Sequence, residues 1–569
     1  MIDLASCSRR LAARLVRHAS RCMPQTRSIW AEAMRNEFAH IKDRPDALVW
    51  NVGCILASYK CRLTDLYARH SLQMLRGTAA CSLAAALAGY AIESQASGQT
   101  LPPPGFTDAA CDLPHISPDI RPRLRCGTVG VPRDYEHPEA GSFRLAVVVI
   151  RSEHQPASPD PVVYISGGPG SPLTIYAYYQ ARHPLAPGRD VILVDQRGMG
   201  RSDPSICPDH NRDLVPAMAT FVIEPTVDAQ ARRRAIFMAC REEAIAKGID
   251  LRDFGTAVTA QDFDMVRRAL GVKQWDAFGV SYGTTVAMTL MARYPDTIRS
   301  AVLDSVEPPD PFLPLESTNF ADDRAAFFAA CDKNTACVAA YPHLGEMYQE
   351  TLRHLVHSPA ALNLPPGLHD TFPDPRLSAP LFEFVIDQLI YYAHFYPGLP
   401  RLIAWVHHGD TTLFARALAA LLTEASNPET GTNFSANVAV QCRDRPRFRQ
   451  KLPDNANVLD RATLYDVCRD WEKLGPPPVI PVGTRVPTLV LAGQFDPFAR
   501  PVVSRHVADL IGARSRWVEF LLVGHSVRAA SPCASRIVAE FVDDPTRALD
   551  TSCADHPPPI RFEPMHGTP

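Results

Sequence analysis

Net charge is scarce in this chain: 58 Lys/Arg stand against 61 Asp/Glu, a formal balance of −3. A balance so close to zero gives no electrostatic reason to expect nucleic acid or a strongly acidic partner. Internal repeats are lacking, which removes architectures built by repetition. A clear membrane span is missing too. The uncharged stretch Gly77–Ile92, mostly Ala and Leu, falls short of the roughly 20 apolar residues that a spanning helix needs.

What is present begins with size. At 569 residues, 46% of them hydrophobic, the chain can bury a large core, and its length corresponds to roughly 3 or 4 ordinary domains. Fifty-two prolines imply many rigid turns. Residues 1–76 hold 13 Lys/Arg against 6 Asp/Glu, so a basic leader precedes a more acidic body. That asymmetry is expected where a positive segment stays in the cytoplasm and the body is exported. Gly77–Ile92 has the length of a signal-peptide apolar region, and Ser94-Gln95-Ala96 has the small residues that a signal peptidase prefers. Two readings stay open. Translation starts at Met74 and 77–96 is cleaved, or 1–76 is cytoplasmic and 77–92 is an uncleaved membrane tether. Either predicts a periplasmic or secreted body.

Cysteine usage agrees with export. Ten cysteines follow the apolar stretch, an even number suited to an oxidising compartment. Sequence alone does not fix their pairing. Joining sequential neighbours gives five short loops, 111–126, 207–240, 331–337, 442–468 and 533–553, each worth about 2–4 kcal/mol.

The proline-rich span 97–125 reads as a linker. Beyond it, the apolar runs 143–150, 161–165 and 190–195 read as strands buried on both faces of a mostly parallel sheet. A helix is expected over 259–270, with Thr259 as cap and Gly271 as stop. The strand 275–279, a helix from Ser281 to about Tyr294, and the strand 298–304 follow. The rhythm then breaks. Residues 308–485 show helical segments (322–330, 346–357, 381–392, 413–423) without a strong buried strand, and are expected to form a helical lid. Strands resume at 487–492 and 517–523, a helix spans 534–542, and the tail from 546 is proline-rich. The expected fold is α/β: a core over 126–307 and 486–545, helices on both faces of the sheet, and the lid inserted before the last strands.

The chemistry centres on Gly279-Val280-Ser281-Tyr282-Gly283, between an apolar strand and a helix. In this pattern a sharp strand-to-helix turn lifts a serine hydroxyl above the sheet. That hydroxyl needs a histidine base oriented by a carboxylate. In chain order, Asp496 follows one strand in Gly493-Gln-Phe-Asp-Pro497, and His525 follows the next in Gly524-His-Ser526. Ser281, Asp496 and His525 are therefore the candidate triad. The backbone N–H of Tyr282 is the first candidate oxyanion donor. Ser166-Gly-Gly-Pro-Gly170 supplies the second; Pro169 has no N–H, so Gly168 is favoured, then Gly167. Glu307 and Asp310, just past the strand ending at Asp304, read as solvated acids at the start of the lid. No metal or cofactor is required.

Ser-Gly-Gly-Pro-Gly (166–170), Val-Asp-Gln-Arg-Gly-Met-Gly-Arg-Ser (194–202), Gly-Val-Ser-Tyr-Gly (279–283) and Gly-Gln-Phe-Asp-Pro (493–497) together resemble the prolyl aminopeptidase and tripeptidyl aminopeptidase group of α/β-hydrolases. The resemblance covers about 125–545. It implies removal of residues from peptide N-termini through an acyl-enzyme on Ser281, with the lid selecting the substrate's end. Three positions depart from the group. Ser166 stands where prolyl aminopeptidases usually have His, Tyr282 where they commonly have Trp, and Ser526 where a Gly often follows the histidine. The first two direct the expectation toward the tripeptidyl branch, or toward small esters. The alternatives are a carboxylesterase with the same triad, and a non-catalytic binding protein of this fold.

Overall fold

The computed structural model describes residues 105–569 except 224–225, 310–319, 365–374, 428, 450–463, 472–473 and 566–569. The readings made above for 1–76, 77–96 and 97–104, and for Asp310, lie outside the described residues. Among the described residues no helix is long and apolar enough to cross a membrane.

Strands made of consecutive apolar residues bury alternate side chains in opposite layers. In Val191–Val194 all four residues are buried; Val191 and Leu193 enter one layer, Ile192 and Val194 the other. Each such side chain, fully buried, is worth about 1.5–3 kcal/mol. The strands are β1 Phe106–Ala109, β2 Leu124–Pro132, β3 Ser142–Ile150, β4 Val162–Ile165, β5 Val191–Val194, β6 Trp275–Val280, β7 Ile298–Asp304, the short pair β8 Ala360–Ala361 and β9 Arg376–Leu377, then β10 Thr488–Gly493 and β11 Ser515–Phe520.

Nine strands form one sheet in the order β1-β2-β3-β5-β4-β6-β7-β10-β11. The pairings β1/β2, β2/β3 and β3/β5 are antiparallel. From β5 through β11 every pairing is parallel. The carboxyl ends of β4, β6, β7, β10 and β11 therefore share one edge. Helices Val227–Ala246, Thr256–Ala269, Tyr282–Arg293 and Pro501–Ile511 pack on one face. Ala177–Arg182 and Pro532–Asp543 pack on the other.

Between β7 and β10 the chain leaves the sheet for a helical insertion. Its helices include Phe320–Asp332, Leu344–His357, Ala379–Tyr391, Leu399–His407, Thr412–Ser426 and Phe434–Asp444. The first five enclose an aromatic core of their own, with Phe327, Tyr348, Phe382 and Phe414, whereas Phe434–Asp444 buries Ala436, Val438, Ala439 and Val440 in the sheet's core. The tail straps this insertion. Tyr341 Oη donates to the Glu563 carbonyl at 2.7 Å, and the Glu563 N–H donates to the Pro397 carbonyl at 2.8 Å.

Three expectations need correction. The expected linker contributes to the sheet: β1 lies within it, paired with β2 and tied there by Cys111–Cys126. These edge strands are short or broken by Gly and Pro, so their pattern is weak in sequence. Thr259 is not a cap. The helix starts at Thr256, and its first turn is capped from far away: the Asp444 carboxylate accepts from Thr256 N at 2.9 Å and from its Oγ1 at 2.6 Å. The last strand stops at Phe520, because Leu522 adopts a left-handed φ of 56° that starts the turn toward His525. Gly271, at φ 69°, follows the helix end as expected. Among the described residues the five disulfides join sequential neighbours: 111–126, 207–240, 331–337, 442–468 and 533–553.

Candidate active site

Ser281, between β6 and the next helix, has φ 55° and ψ −128°, a strained conformation for a residue with a side chain. The turn holds because two glycines permit backbone contact. A Cβ on Gly283 would lie 2.1 Å from the Ile165 carbonyl oxygen, and one on Gly279 would lie 2.5 Å from the Gly283 oxygen. The Ser281 N–H donates to the Asp304 carbonyl of the neighbouring strand at 3.0 Å. The helix Tyr282–Arg293 then begins directly behind Ser281.

Asp496 and His525 meet beyond the ends of β10 and β11. His525 Nδ1 lies 2.7 Å from Asp496 Oδ2; the carboxylate is fully buried and the imidazole 6% exposed. The second oxygen, Asp496 Oδ1, accepts from the N–H groups of Phe498 and Ala499 at 3.2 and 2.9 Å. Those bonds point the free face of the carboxylate at the imidazole.

The loop carrying His525 is anchored by a residue that the sequence reading passed over. Asp304, buried at the end of β7, accepts from the backbone N–H of Val527 at 2.8 Å and of Arg528 at 2.9 Å. Ser305 Oγ accepts from the Ser526 N–H at 2.9 Å. Burial raises the Asp304 pKa above its ordinary value, against the lowering effect of those backbone donors.

On the other side of Ser281 lies the glycine turn after β4. A Cβ on Gly167 would come within 2.8 Å of Ser281 Cβ and 3.4 Å of its Oγ. Gly168, at φ 109°, faces its own turn toward Gly170 N and Ser171 N. The 194–202 motif shapes this turn. Buried Asp195 accepts from the N–H groups of Leu173, Thr174 and Arg201, and from Thr174 Oγ1, at 2.6–2.9 Å. Gln196 Nε2 donates to the Ser166 carbonyl at 3.0 Å. Arg197 is buried, bidentate on Asp262 at 2.6 and 2.7 Å, which fixes the motif to the helix Thr256–Ala269.

The helical insertion reaches the site at several points. Asn437 Nδ2 donates to the Pro169 carbonyl at 2.8 Å, and the Asn433 N–H to Gly170 O at 3.0 Å. Arg445 pairs with Glu307. Glu307 is thus held in an ion pair and is not the solvated acid expected, since its cation arrives from far along the chain. Asp444, through Thr256, fixes Tyr282, whose hydroxyl shares a 2.9 Å hydrogen bond with Thr256 Oγ1. Tyr391, last residue of its helix, sits over the centre. Its carbonyl accepts from the His525 N–H at 2.9 Å, and its ring stacks on the imidazole at 4.3 Å and 21°. No motif marks it, because an aromatic residue at a helix end reads as ordinary packing.

The structure thus brings Ser281, Asp496 and His525 to one sheet edge, with Tyr282 and Gly167 beside the serine. An imidazole oriented by a buried carboxylate has the arrangement of a general base. One further cluster, Cys207, His210 and Cys240, has metal-ligand spacing, but its two sulfurs are joined to each other.

Residues 160–527 match the family described as alpha/beta hydrolase fold. Over 523 aligned residues the chain is 27% identical to the tripeptidyl aminopeptidase of Streptomyces coelicolor, covering 85% of this chain and 89% of that protein. Serine protease Hip1 of Mycobacterium tuberculosis is 26% identical over 363 residues, 59% of this chain and 65% of its own. Carboxylesterase B of Mycobacterium tuberculosis is 28% identical over 263 residues, 43% of this chain and 49% of its own. Among solved structures, the proline iminopeptidase of Mycobacterium smegmatis is 18% identical, covers 73% of this chain and 97% of that one, and has a TM-score of 0.32.

Proposed function

The chain belongs to the alpha/beta hydrolase family, and on that premise we propose that it is a serine exopeptidase releasing residues from peptide N-termini through an acyl-enzyme. The observation that carries the reading is the buried 2.7 Å contact between Asp496 and His525, at the sheet edge where Ser281 is strained upward. Asp496 holds the imidazole so that Nε2 takes the Ser281 proton as Oγ attacks the scissile carbonyl. The N–H groups of Tyr282 and of Gly168, or Gly167 beside it, receive the oxyanion; one such donor is worth about 3–4 kcal/mol in the barrier. The imidazolium then protonates the leaving amine, and water releases the acyl group by the same steps in reverse order.

The preference for peptide N-termini is supported by the tripeptidyl aminopeptidase likeness, which runs along most of both chains. A carboxylesterase using the same residues is the second reading, supported by the shorter likeness to carboxylesterase B. Five disulfides support residence in an oxidising compartment, periplasmic or extracellular.

The test has two stages. A fluorophosphonate probe should label the wild type and not Ser281→Ala; no labelling of the wild type refutes the serine mechanism. Rates on tripeptidyl and prolyl anilides are then compared with those on a short p-nitrophenyl ester. Turnover of the ester alone refutes the peptidase reading and leaves the esterase.

A further inference from the structure

Four contacts close a circuit around the buried acid and the histidine. Asp496 Oδ2 lies 2.7 Å from His525 Nδ1. The Tyr391 ring lies nearly parallel to the imidazole, 4.3 Å away at 21°. Phe498 meets that ring edge-on at 5.3 Å, and the Phe498 N–H donates to Asp496 Oδ1 at 3.2 Å. Asp496, Phe498 and His525 stand on the loops behind β10 and β11. Tyr391 comes from the insertion, and it holds the histidine twice, since its carbonyl also accepts from the His525 N–H at 2.9 Å. The chain before the histidine is pressed against the same helix end. A Cβ on Gly524 would lie 2.6 Å from the Tyr391 carbonyl oxygen and 2.6 Å from Tyr396 Oη.

We propose that Tyr391 is a positioning residue for the base: its ring is the wall against which the His525 imidazole is set while the proton passes. The inference rests on the proposed mechanism, in which His525 takes the Ser281 proton. A single hydrogen bond at Nδ1 holds the imidazole at one point and leaves it free to tilt about that bond. A ring stacked on one face removes the tilt, and the edge of Phe498 keeps that ring from sliding. When the imidazole carries the proton, its positive charge lies on the electron-rich face of Tyr391. Tyr391 also ends the helix Ala379–Tyr391, so the partly negative end of that helix meets the histidine. The role belongs to the ring and the backbone carbonyl and needs no hydroxyl. The base is thus assembled from both parts of the chain, and its geometry is set where the insertion meets the sheet edge.

Tyr391→Leu keeps bulk at the site and removes the flat face. With a cooperative melt retained, it should lose about 10–100-fold in fluorophosphonate labelling rate and in kcat for a p-nitrophenyl ester, with KM near that of the wild type, the cost of a mis-set catalytic group. Tyr391→Phe keeps the ring and should restore both rates to within about twofold of the wild type. A Tyr391→Leu protein that labels as fast as the wild type overturns the proposal while leaving the Ser281 reading intact. A Tyr391→Phe protein as slow as Tyr391→Leu also overturns it, because the effect then belongs to the hydroxyl. A wild type that never labels removes both readings. If Tyr391→Leu does not fold, NMR of the wild type with isotope-labelled histidine decides. The carbon-bound ring protons of His525, identified by their loss in His525→Gln, should lie upfield of those of free histidine, because an aromatic face covers them. Resonances at the free-histidine positions overturn the proposal.

Discussion

Asp444 offers a test in which pH decides the sign. It is buried at the end of the helix Phe434–Asp444, accepts two hydrogen bonds from Thr256, and through Thr256 fixes Tyr282 beside Ser281. Burial pushes its pKa from 3.8 to about 6, outweighing the lowering effect of the Thr256 bonds. A carboxyl raised in this way favours the folded state in its protonated form. Its contribution is fully present below the unfolded value and is lost as pH rises through the folded one. With those two values, linkage gives a loss of about 1 kcal/mol at pH 4.5 and about 3 kcal/mol at pH 7.5. Asp444→Asn has nearly the same shape and does not titrate. Measured by urea unfolding, the wild type should therefore lose about 2 kcal/mol relative to Asp444→Asn between pH 4.5 and pH 7.5. The sign distinguishes this from a carboxylate stabilised by its hydrogen bonds, which would gain over that range. A difference between the two proteins that stays constant with pH, or moves in the wild type's favour, would refute the argument that burial dominates this residue.

Other expectations follow from the same contacts. Gly283→Ala would force a Cβ to 2.1 Å from the Ile165 carbonyl and should destroy the elbow, seen as loss of both fluorophosphonate labelling and a cooperative melt. Asp304→Ala leaves the buried N–H groups of Val527 and Arg528 without their acceptor, at about 1–3 kcal/mol each, and should lower kcat and unfolding free energy together. Asp262→Ala strands the Arg197 guanidinium in the core and should cost about 3–5 kcal/mol in chemical denaturation. Replacing Cys442 and Cys468, 26 residues apart, with Ser should cost about 3.5 kcal/mol by loop-closure entropy.

Features that are local in sequence could be read from it. Val191–Val194 is apolar on both faces because helices cover both sides, and that pattern needs no partner to be seen. The elbow was legible because its glycines answer to contacts within a few residues, and Asp496 and His525 because each closely follows a strand. What escaped depends on distant chain. The cap on Thr256 comes from 188 residues downstream, so the nearest capping type, Thr259, was favoured in its place. Glu307 read as solvated because its partner Arg445 lies 138 positions away. Asp304 looked like the last residue of a strand, and only the fold shows that it grips the loop behind His525. Tyr391 carries no pattern at all, since nothing local marks a ring that stacks on His525 across 134 positions.

The crosslinks have a mechanical consequence. Among the described residues, 331–337 and 442–468 close within the insertion, whereas 111–126, 207–240 and 533–553 close within the sheet and its helices. None crosses the seam between them. Among the described residues the seam carries noncovalent contacts such as Asn437 on Pro169 and Tyr391 on His525. The helices around the insertion's aromatic core thus meet the sheet without a crosslink, whereas Cys442–Cys468 stiffens the part of the insertion whose side chains are buried in the sheet's own core.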